Sequence, residues 1–278
     1  MAYDKKNNIY SDREKRTADK PLRDKKPFKE EREEREQRTD LIIGRNAVKE
    51  ALKAGRPADS LLIQRGELSG SIKPIIAECK DKSIIVKEVD SKKLDFMCGH
   101  AHHQGVIMIA AAHEYSTVEE ILKKAEDKNE APFVIICDGL EDPHNLGAII
   151  RTADAAGAHG VIIPERRSVS LSGIVGKTSA GALEYVPVAR VKNITNTIKE
   201  LKEKGLWVYC ADMDGTPYRK ANLSGAIALV IGGEGAGVSR LVKENCDGVL
   251  SIPMKGNVNS LNASVAAAVL IFEAAQAR

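Results

Sequence analysis

The residues of this chain that could do chemistry lie in three polar segments, each downstream of an apolar run. The first segment holds Asn145 and, six residues later, Arg151. The second holds Glu234 inside a glycine-rich run, and the third holds Ser260 and Asn262. Amides, a hydroxyl, a carboxylate and a guanidinium can together orient a polar substrate and stabilise negative charge that develops during a reaction.

The glycine-rich run, residues 232–237, follows a predicted strand and precedes a predicted helix. In that position backbone N–H groups can approach an anion or an adenosine cofactor, although a glycine turn between a strand and a helix is also common. The dinucleotide-binding fingerprint fails, because its third glycine would fall on Val238. Small residues surround Glu234 and offer it no side chain to pair with, so we predict that it orients another group.

The other polar residues also have structural explanations. Asn145 could cap the helix that periodicity predicts over residues 146–156, and Ser260 or Asn262 could cap the last helix. Arg151 lies on the first of these helices, where a solvated arginine is the more common outcome and an anion ligand is the alternative. These alternatives stay open at the level of single residues.

Two further polar segments are weaker candidates. Residues 171–178 end in Gly-Lys-Thr, but a phosphate-binding loop needs a glycine where Leu171 stands, so we predict a helix that packs closely on a neighbour. His100, His102 and His103 match no zinc-ligand motif in the sequence, which favours a polar edge or RNA-facing turn over a metal site. The five cysteines are widely separated and form no CxxC pair, so neither zinc nor redox chemistry is predicted.

Charge separates the start of the chain from the rest. Of 42 Lys and Arg and 39 Asp and Glu in 278 residues, 13 basic and 11 acidic residues lie in residues 1–40, which we predict to be a disordered tail. The overall balance excludes a nucleic-acid binder that relies on net charge. No apolar stretch is long enough for a signal peptide core or a membrane span, which favours a cytoplasmic protein with no membrane partner.

Short apolar runs alternate with helical patterns after the tail. They predict a small α/β unit over residues 41–112, a linker over 113–131 and a larger α/β unit over 132–278. Strands between helices predict a parallel sheet covered on both faces, and ligands bind beyond the carboxyl ends of such strands. The predicted strands of the larger unit are residues 133–137, 161–164, 185–189, 206–211, 227–231 and 249–252.

Three segments, in this order, resemble the motifs of the SpoU-type RNA 2′-O-ribose methyltransferases, also called the TrmH family. They are residues 145–153, residues 229–239, and residues 252–254 with 260–266. The small unit begins with Gly44–Val48 and has His103–Val106 near its end, and it looks like the RNA-binding domain of the family's 23S rRNA guanosine enzymes.

The resemblance implies a SPOUT-like α/β domain with a parallel sheet and a C-terminal trefoil knot. It also implies a homodimer and S-adenosyl-L-methionine as the cofactor, with no metal. By motif, the cofactor contacts fall on Gly232, Ile252 and Leu261. The catalytic positions fall on Asn145, Arg151, Glu234, Ser260 and Asn262.

The implied reaction is an in-line attack of a ribose 2′-hydroxyl on the sulfonium methyl group, so the protein must position the oxygen. Arg151 is the family's key group. Because arginine keeps its proton at neutral pH, we favour phosphate binding and stabilisation of the developing alkoxide over proton acceptance. Glu234 and the two asparagines would orient the loops and the ribose, and Ser260 would contact the substrate or cap the helix.

The resemblance favours methylation of a guanosine in 23S rRNA or its precursor. A tRNA guanosine 2′-O-methyltransferase is the alternative within the family, but tRNA-type members usually lack a domain like residues 41–112. A non-catalytic RNA-binding or ribosome-assembly protein is the alternative from another class. Because the chain after the tail is nearly neutral, we expect RNA recognition to use a local basic surface of residues 41–112.

Overall fold

A computed structural model describes residues 41–66, 70–82, 84–111 and 113–278. Within these ranges the chain forms two α/β units, each built on its own sheet. The predicted charged tail, residues 1–40, lies outside the described residues. Among the helices that are described, none is long and apolar enough to cross a membrane.

The small unit has a four-stranded sheet in the order β1-β4-β2-β3. Its strands are β1 (Leu41–Ile43), β2 (Ala58–Gln64), β3 (Ile85–Val89) and β4 (Val106–Ala110). Its helices are α1 (Arg45–Lys53), α2 (Ile72–Asp81) and α3 (Ser91–Met97). β4 runs antiparallel to β1 and β2, whereas β2 and β3 are parallel. Val48 and Leu52 of α1 and Ile75 of α2 are buried against one face of this sheet.

The large unit has a six-stranded parallel sheet in the order β10-β8-β9-β5-β6-β7. Its strands are β5 (Phe133–Asp138), β6 (Gly160–Pro164), β7 (Val188–Val191), β8 (Trp207–Pro217), β9 (Ile227–Gly232) and β10 (Gly248–Ser251). Its helices are α4 (Val118–Asp127), α5 (Pro143–Ala155), α6 (Gly173–Thr178), α7 (Ile194–Glu203), α8 (Arg240–Asn245) and α9 (Ala263–Gln276). The predicted parallel α/β fold class is confirmed, whereas the trefoil knot stays a prediction.

Strand β5 is apolar from Phe133 to Cys137 because both of its faces are buried. Phe133, Ile135 and Cys137 belong to the core that includes α5 and α9, and Val134 and Ile136 belong to the core that includes α4 and α7. Successive side chains of a strand point to opposite faces, so a strand with helices on both sides needs apolar residues throughout. Burial of both faces leaves the loops at the strand ends to carry function.

One local feature differs from the predictions. The strand predicted over residues 185–189 begins at Val188, because Pro187 has no N–H to donate and a 3-10 turn over Ala182–Glu184 precedes it. The segment predicted as a linker, residues 113–131, contains α4, whose Ile121 is buried in the core of the large unit. The domain boundaries stay predictions.

The predicted close packing of the Gly-Lys-Thr segment is confirmed. This segment forms α6, which lies against α5 where Gly147 faces it. A Cβ atom on Gly147 would lie 2.6 Å from the Cβ atom of Thr178. The two helices approach this closely because Gly147 has no side chain, and α5 is thereby held in place beside the sheet.

Candidate active site

The polar segments predicted to be functional meet where the neighbouring strands β5 and β9 end. Glu234 follows β9, Asn145 lies in the first turn of α5 after β5, and Asn262 precedes α9. The amide nitrogens of both asparagines donate to the same carboxylate oxygen, Glu234 Oε1. The distances are 2.7 Å from Asn145 Nδ2 and 3.1 Å from Asn262 Nδ2. We call these three residues the Glu234 cluster.

Helix capping positions the two asparagines in different ways. The cap of α5 is Asp142, whose Oδ1 accepts the backbone N–H of His144 at 2.8 Å, so the alternative that Asn145 caps this helix is wrong. Asn145 is instead buried inside the first turn and free to donate to Glu234. Asn262 does cap α9, because its Oδ1 accepts two backbone N–H groups of the first turn, and its Nδ2 holds Glu234.

Close backbone contacts shape the loop that carries Glu234. A Cβ atom on Gly232 would lie 2.1 Å from the carbonyl carbon of Gly237, and one on Gly233 would lie 2.2 Å from the carbonyl oxygen of Gly139. The N–H of Gly233 also donates to the backbone of β5 at 2.9 Å. Only residues without a side chain allow these approaches, so the glycines determine where Glu234 projects.

A cavity of about 670 Å³ lies on one side of this loop, beyond the ends of β9 and β10; we call it the β9/β10 cavity. Its lining includes Gly232, Ile252 and Leu261, the three residues for which the family motifs predict cofactor contacts. Its volume lies within the range of small-molecule sites. Apolar side chains beside backbone groups at strand ends suit a flat heterocycle whose edge needs hydrogen bonds.

A second cavity of about 650 Å³ lies on the other side of the loop, beyond the ends of β5 and β6; we call it the β5/β6 cavity. Asn145 lines this cavity, and Glu234 lines both. Arg166 and Arg167 reach it from the loop after β6. The Glu234 carboxylate therefore lies at the boundary between the two cavities.

Comparison with protein families assigns both units. Residues 132–272 match the model of the SpoU rRNA Methylase family. The chain belongs to the SpoU rRNA methylase family. Residues 41–116 match the model described as RNA 2′-O ribose methyltransferase substrate binding. The SpoU chain is 50% identical over 234 residues, 84% of its own length and 94% of the relative's, to a Staphylococcus aureus protein named as a TrmH family tRNA/rRNA methyltransferase.

Solved SpoU structures share this fold. An rRNA methyltransferase from Sinorhizobium meliloti with AdoMet bound is 26% identical, with a TM-score of 0.52 over 89% of this chain and 90% of its own. The SpoU methyltransferase AviRb from Streptomyces viridochromogenes, in complex with AdoMet, is 24% identical. Its TM-score is 0.53, over 85% of this chain and 89% of its own. The likeness to AviRb concerns the fold alone.

Two positions predicted from the SpoU motifs form no hydrogen bond with the Glu234 cluster in the part of the chain that the structure describes. Arg151 is exposed on α5, about 9 Å along the helix axis from Asn145 and about a third of a turn from its face. Arg151 lines neither cavity, and its side chain has no hydrogen bond or ion pair to another described residue. Ser260 lines the β9/β10 cavity, and the alternative that it caps α9 is wrong because Asn262 does so. The functional roles of Arg151 and Ser260 stay predictions.

Sequence reasoning missed two contributions to the site. Asp138 accepts the backbone N–H of Ser239 at 2.8 Å through Oδ2, which ties the start of α8 to the end of β5. Arg166 and Arg167 line the β5/β6 cavity although they belong to no motif. The available signal was their place just after β6, because ligands bind beyond the carboxyl ends of parallel strands.

His103 makes structural contacts, and the thiols of Cys79 and Cys137 keep their protons. His103 Nδ1 accepts the N–H of Gly105 at 2.9 Å and its Nε2 lies 3.1 Å from Asp95, a carboxylate that sequence proximity did not reveal. No group of three His, Cys, Asp or Glu able to hold a metal ion occurs among the described residues. Burial raises the pKa of the Cys79 thiol to about 11 and that of the Cys137 thiol to about 12, so both keep their protons at neutral pH.

Proposed function

We propose that this SpoU methyltransferase transfers a methyl group from S-adenosyl-L-methionine to the ribose 2′-hydroxyl of a guanosine in 23S rRNA or its precursor, in the cytoplasm. The observation that carries the proposal is the Glu234 cluster. Two asparagines from different segments fix one carboxylate at the boundary of two cavities. Such a carboxylate can orient a hydroxyl in one cavity toward a group bound in the other.

The residues of the β9/β10 cavity fit the cofactor. Because Gly232 has no side chain, the loop after β9 can lie close to the end of that strand. Ile252 and Leu261 supply apolar surface for an adenine ring. The AdoMet-bound Sinorhizobium meliloti relative supports this assignment. When bound, the cofactor supplies an electrophilic methyl group on its sulfonium.

Glu234 keeps one oxygen for the substrate. Its Oε1 accepts both asparagine amides, whereas its Oε2 has no partner among the residues that the structure describes. An ionised carboxylate is a strong acceptor for a hydroxyl proton. We therefore assign Oε2 to orienting the ribose 2′-hydroxyl, with Asn145 and Asn262 holding the carboxylate and Ser260 contacting the substrate.

Arg151 is exposed outside both cavities of its own copy, so we assign its action at this cluster to a second copy of the chain. Helix α9, which packs on α5, leaves Val265 and Phe272 49% and 45% exposed. Exposed apolar side chains beside a site support a homodimer. In such a dimer Arg151 would bind the substrate phosphate and stabilise the developing alkoxide at the partner copy.

The test is methyl transfer from labelled S-adenosyl-L-methionine to unmodified 23S rRNA transcript and to bulk tRNA transcripts. We expect label in 2′-O-methylguanosine of the 23S rRNA and a loss of at least about 100-fold in the Arg151→Ala variant. Label in tRNA alone would overturn the rRNA assignment. Absence of both methyl transfer and cofactor binding by calorimetry would favour a non-catalytic RNA-binding protein.

A further inference from the structure

The β5/β6 cavity is not needed for the cofactor, yet it reaches the Glu234 cluster. Asn145 and Glu234 form part of its wall, and its volume of about 650 Å³ can hold a nucleotide-sized ligand. Arg166 and Arg167 are the basic residues in its lining. A ligand in this cavity would therefore contact both the Glu234 cluster and two positive charges.

The two arginines do not stabilise the fold through pairing. Both are exposed, and neither side chain has a hydrogen bond or ion pair to another residue within the described ranges. Arg190 differs, since it pairs with Asp59 at 2.7 Å and both side chains are nearly buried. The guanidinium groups of these two consecutive residues, with no protein partner in the described ranges, are available to an external anion, and their planar N–H donors match phosphate oxygens.

The loop that carries the arginines is tied to the cavity wall. Arg167 has a φ of 56°, in the left-handed region that side-chain-bearing residues rarely adopt. The N–H of Val169 donates to the carbonyl oxygen of Leu140 at 2.8 Å, which joins this loop to the loop after β5. The arginines are thereby held at the rim of the cavity.

Most carboxylates of the cavity are already occupied. Asp138 accepts the backbone N–H of Ser239, which precedes α8, at 2.8 Å. Asp142 accepts a backbone N–H of α5 at 2.8 Å, and Glu234 accepts the asparagine amides. Glu141 is exposed and has no partner among the described residues. These hydrogen bonds leave the carboxylates charged, but none of the carboxylates pairs with Arg166 or Arg167 within the described ranges, so the guanidinium N–H donors stay open to an external anion.

We propose that the β5/β6 cavity receives the acceptor nucleotide of the RNA and that Arg166 and Arg167 bind the phosphates that flank it. The inference rests on the proposed function, because that function names RNA as the substrate. With the nucleotide in this cavity, its ribose lies beside Glu234, and the 2′-hydroxyl is placed at the carboxylate that borders the β9/β10 cavity. The phosphates on either side of the nucleotide then lie at the rim, where the guanidinium groups are.

The experiment measures binding of unmodified 23S rRNA transcript by filter binding at several salt concentrations. The test variants are Arg166→Glu with Arg167→Glu, and Arg166→Gln with Arg167→Gln, which removes charge without reversing it. The matched control is Lys199→Glu with Lys204→Glu, because both lysines are exposed at α7 and line neither cavity. Cofactor affinity, measured by calorimetry, shows that each variant is folded.

We expect both arginine variants to bind the transcript at least about tenfold more weakly, with unchanged cofactor affinity. Loss of two phosphate contacts to a single strand should lower the slope of log affinity against log salt by about 1.4. An unchanged slope, or an equal change in the lysine control, would overturn the inference. Failure of the proposed function can be told apart from failure of this inference. If the wild-type protein binds RNA without methylating it, the salt slopes of the wild type and of each variant can still be compared.

Discussion

Asp59 and Arg190 form a 2.7 Å ion pair that joins the two folded units. Asp59 lies at a bulge in β2, where the pairing with β4 shifts between Ala58 and Ser60, and Arg190 lies on the edge strand β7. A bulge redirects a side chain, so β2 presents Asp59 to the large unit. The Tyr115 hydroxyl also donates to Asp59 at 3.2 Å, and the Arg190 guanidinium lies 4.2 Å from the centre of the Tyr115 ring.

We expect Arg190→Ala to lower the free energy of unfolding by about 3 kcal/mol, because it leaves the Asp59 charge nearly buried without its partner. Urea unfolding measures the change. The matched control is Glu244→Ala, which breaks the exposed pair with Arg240 and should cost at most about 0.5 kcal/mol. Equal costs in the two variants would show that the Asp59–Arg190 pair behaves as an ordinary surface pair.

Glu234→Gln should lower kcat for methyl transfer about 10- to 100-fold. Loss of a charged acceptor corresponds to about 1.5–3 kcal/mol, and each 1.4 kcal/mol is a factor of ten in rate. The affinity for S-adenosyl-L-methionine should stay within a few-fold of wild type, since the side chain is assigned to the ribose hydroxyl. Steady-state kinetics and calorimetry separate the two quantities, and a variant that loses only cofactor affinity would refute this role.

Gly232→Ala should abolish cofactor binding, because its Cβ atom would lie 2.1 Å from the backbone of Gly237 and the loop would have to move. Gly256→Ala in the loop after β10 is the control, since its Cβ atom would have no neighbour within 4 Å. Calorimetric titration with S-adenosyl-L-methionine should give wild-type affinity for the control. Comparable affinities for both variants would mean that the close approach at Gly232 does not shape the cavity.

A mixture of Arg151→Ala and Glu234→Gln chains tests whether the arginine acts from the partner copy. If random pairing makes half of the dimers mixed, each mixed dimer has one intact site, and the mixture should recover about a quarter of wild-type activity. Each variant alone should keep at most about a tenth of wild-type activity. Methyl transfer after unfolding and refolding the two chains together is the measurement, and no recovery would place Arg151 at the site of its own chain.

His159 should make stability depend on pH. Burial lowers the pKa of this ring below 6.5, although its hydrogen bond to Glu130 opposes the shift; its Nδ1 accepts the Phe133 N–H at 2.9 Å. As the pH falls below 6.5, His159 binds a proton in the unfolded chain but stays neutral in the folded protein. The free energy of unfolding therefore decreases as the pH falls from 6.5 to the lower pKa of the folded state. Urea unfolding of wild type and His159→Gln from pH 7.5 to 5.5 should show a steeper decline for wild type, and parallel curves would contradict this.

Much of the secondary structure was predictable, because strands and helices depend on patterns of apolar residues over a few neighbouring positions. The run Phe133–Cys137 is apolar at every position, which indicates a strand buried on both faces. Asn145, Glu234 and Asn262 were predictable through motif spacing, although each also had a structural explanation. The start of β7 was not predicted correctly, because the apolar pattern begins at Tyr185 whereas Pro187 has no N–H to donate and the strand begins at Val188.

Residue type and periodicity placed most of the strands and helices, since these depend on neighbours within a few residues, and the resemblance to the SpoU motifs supplied the polar positions. They could not reveal that two asparagines share one oxygen of Glu234, that Arg166 and Arg167 border the same cavity, or that Asp59 reaches Arg190. Those relationships join residues far apart in the chain. They follow from strand order, from a bulge and from close glycine contacts, which set distances that local patterns do not encode.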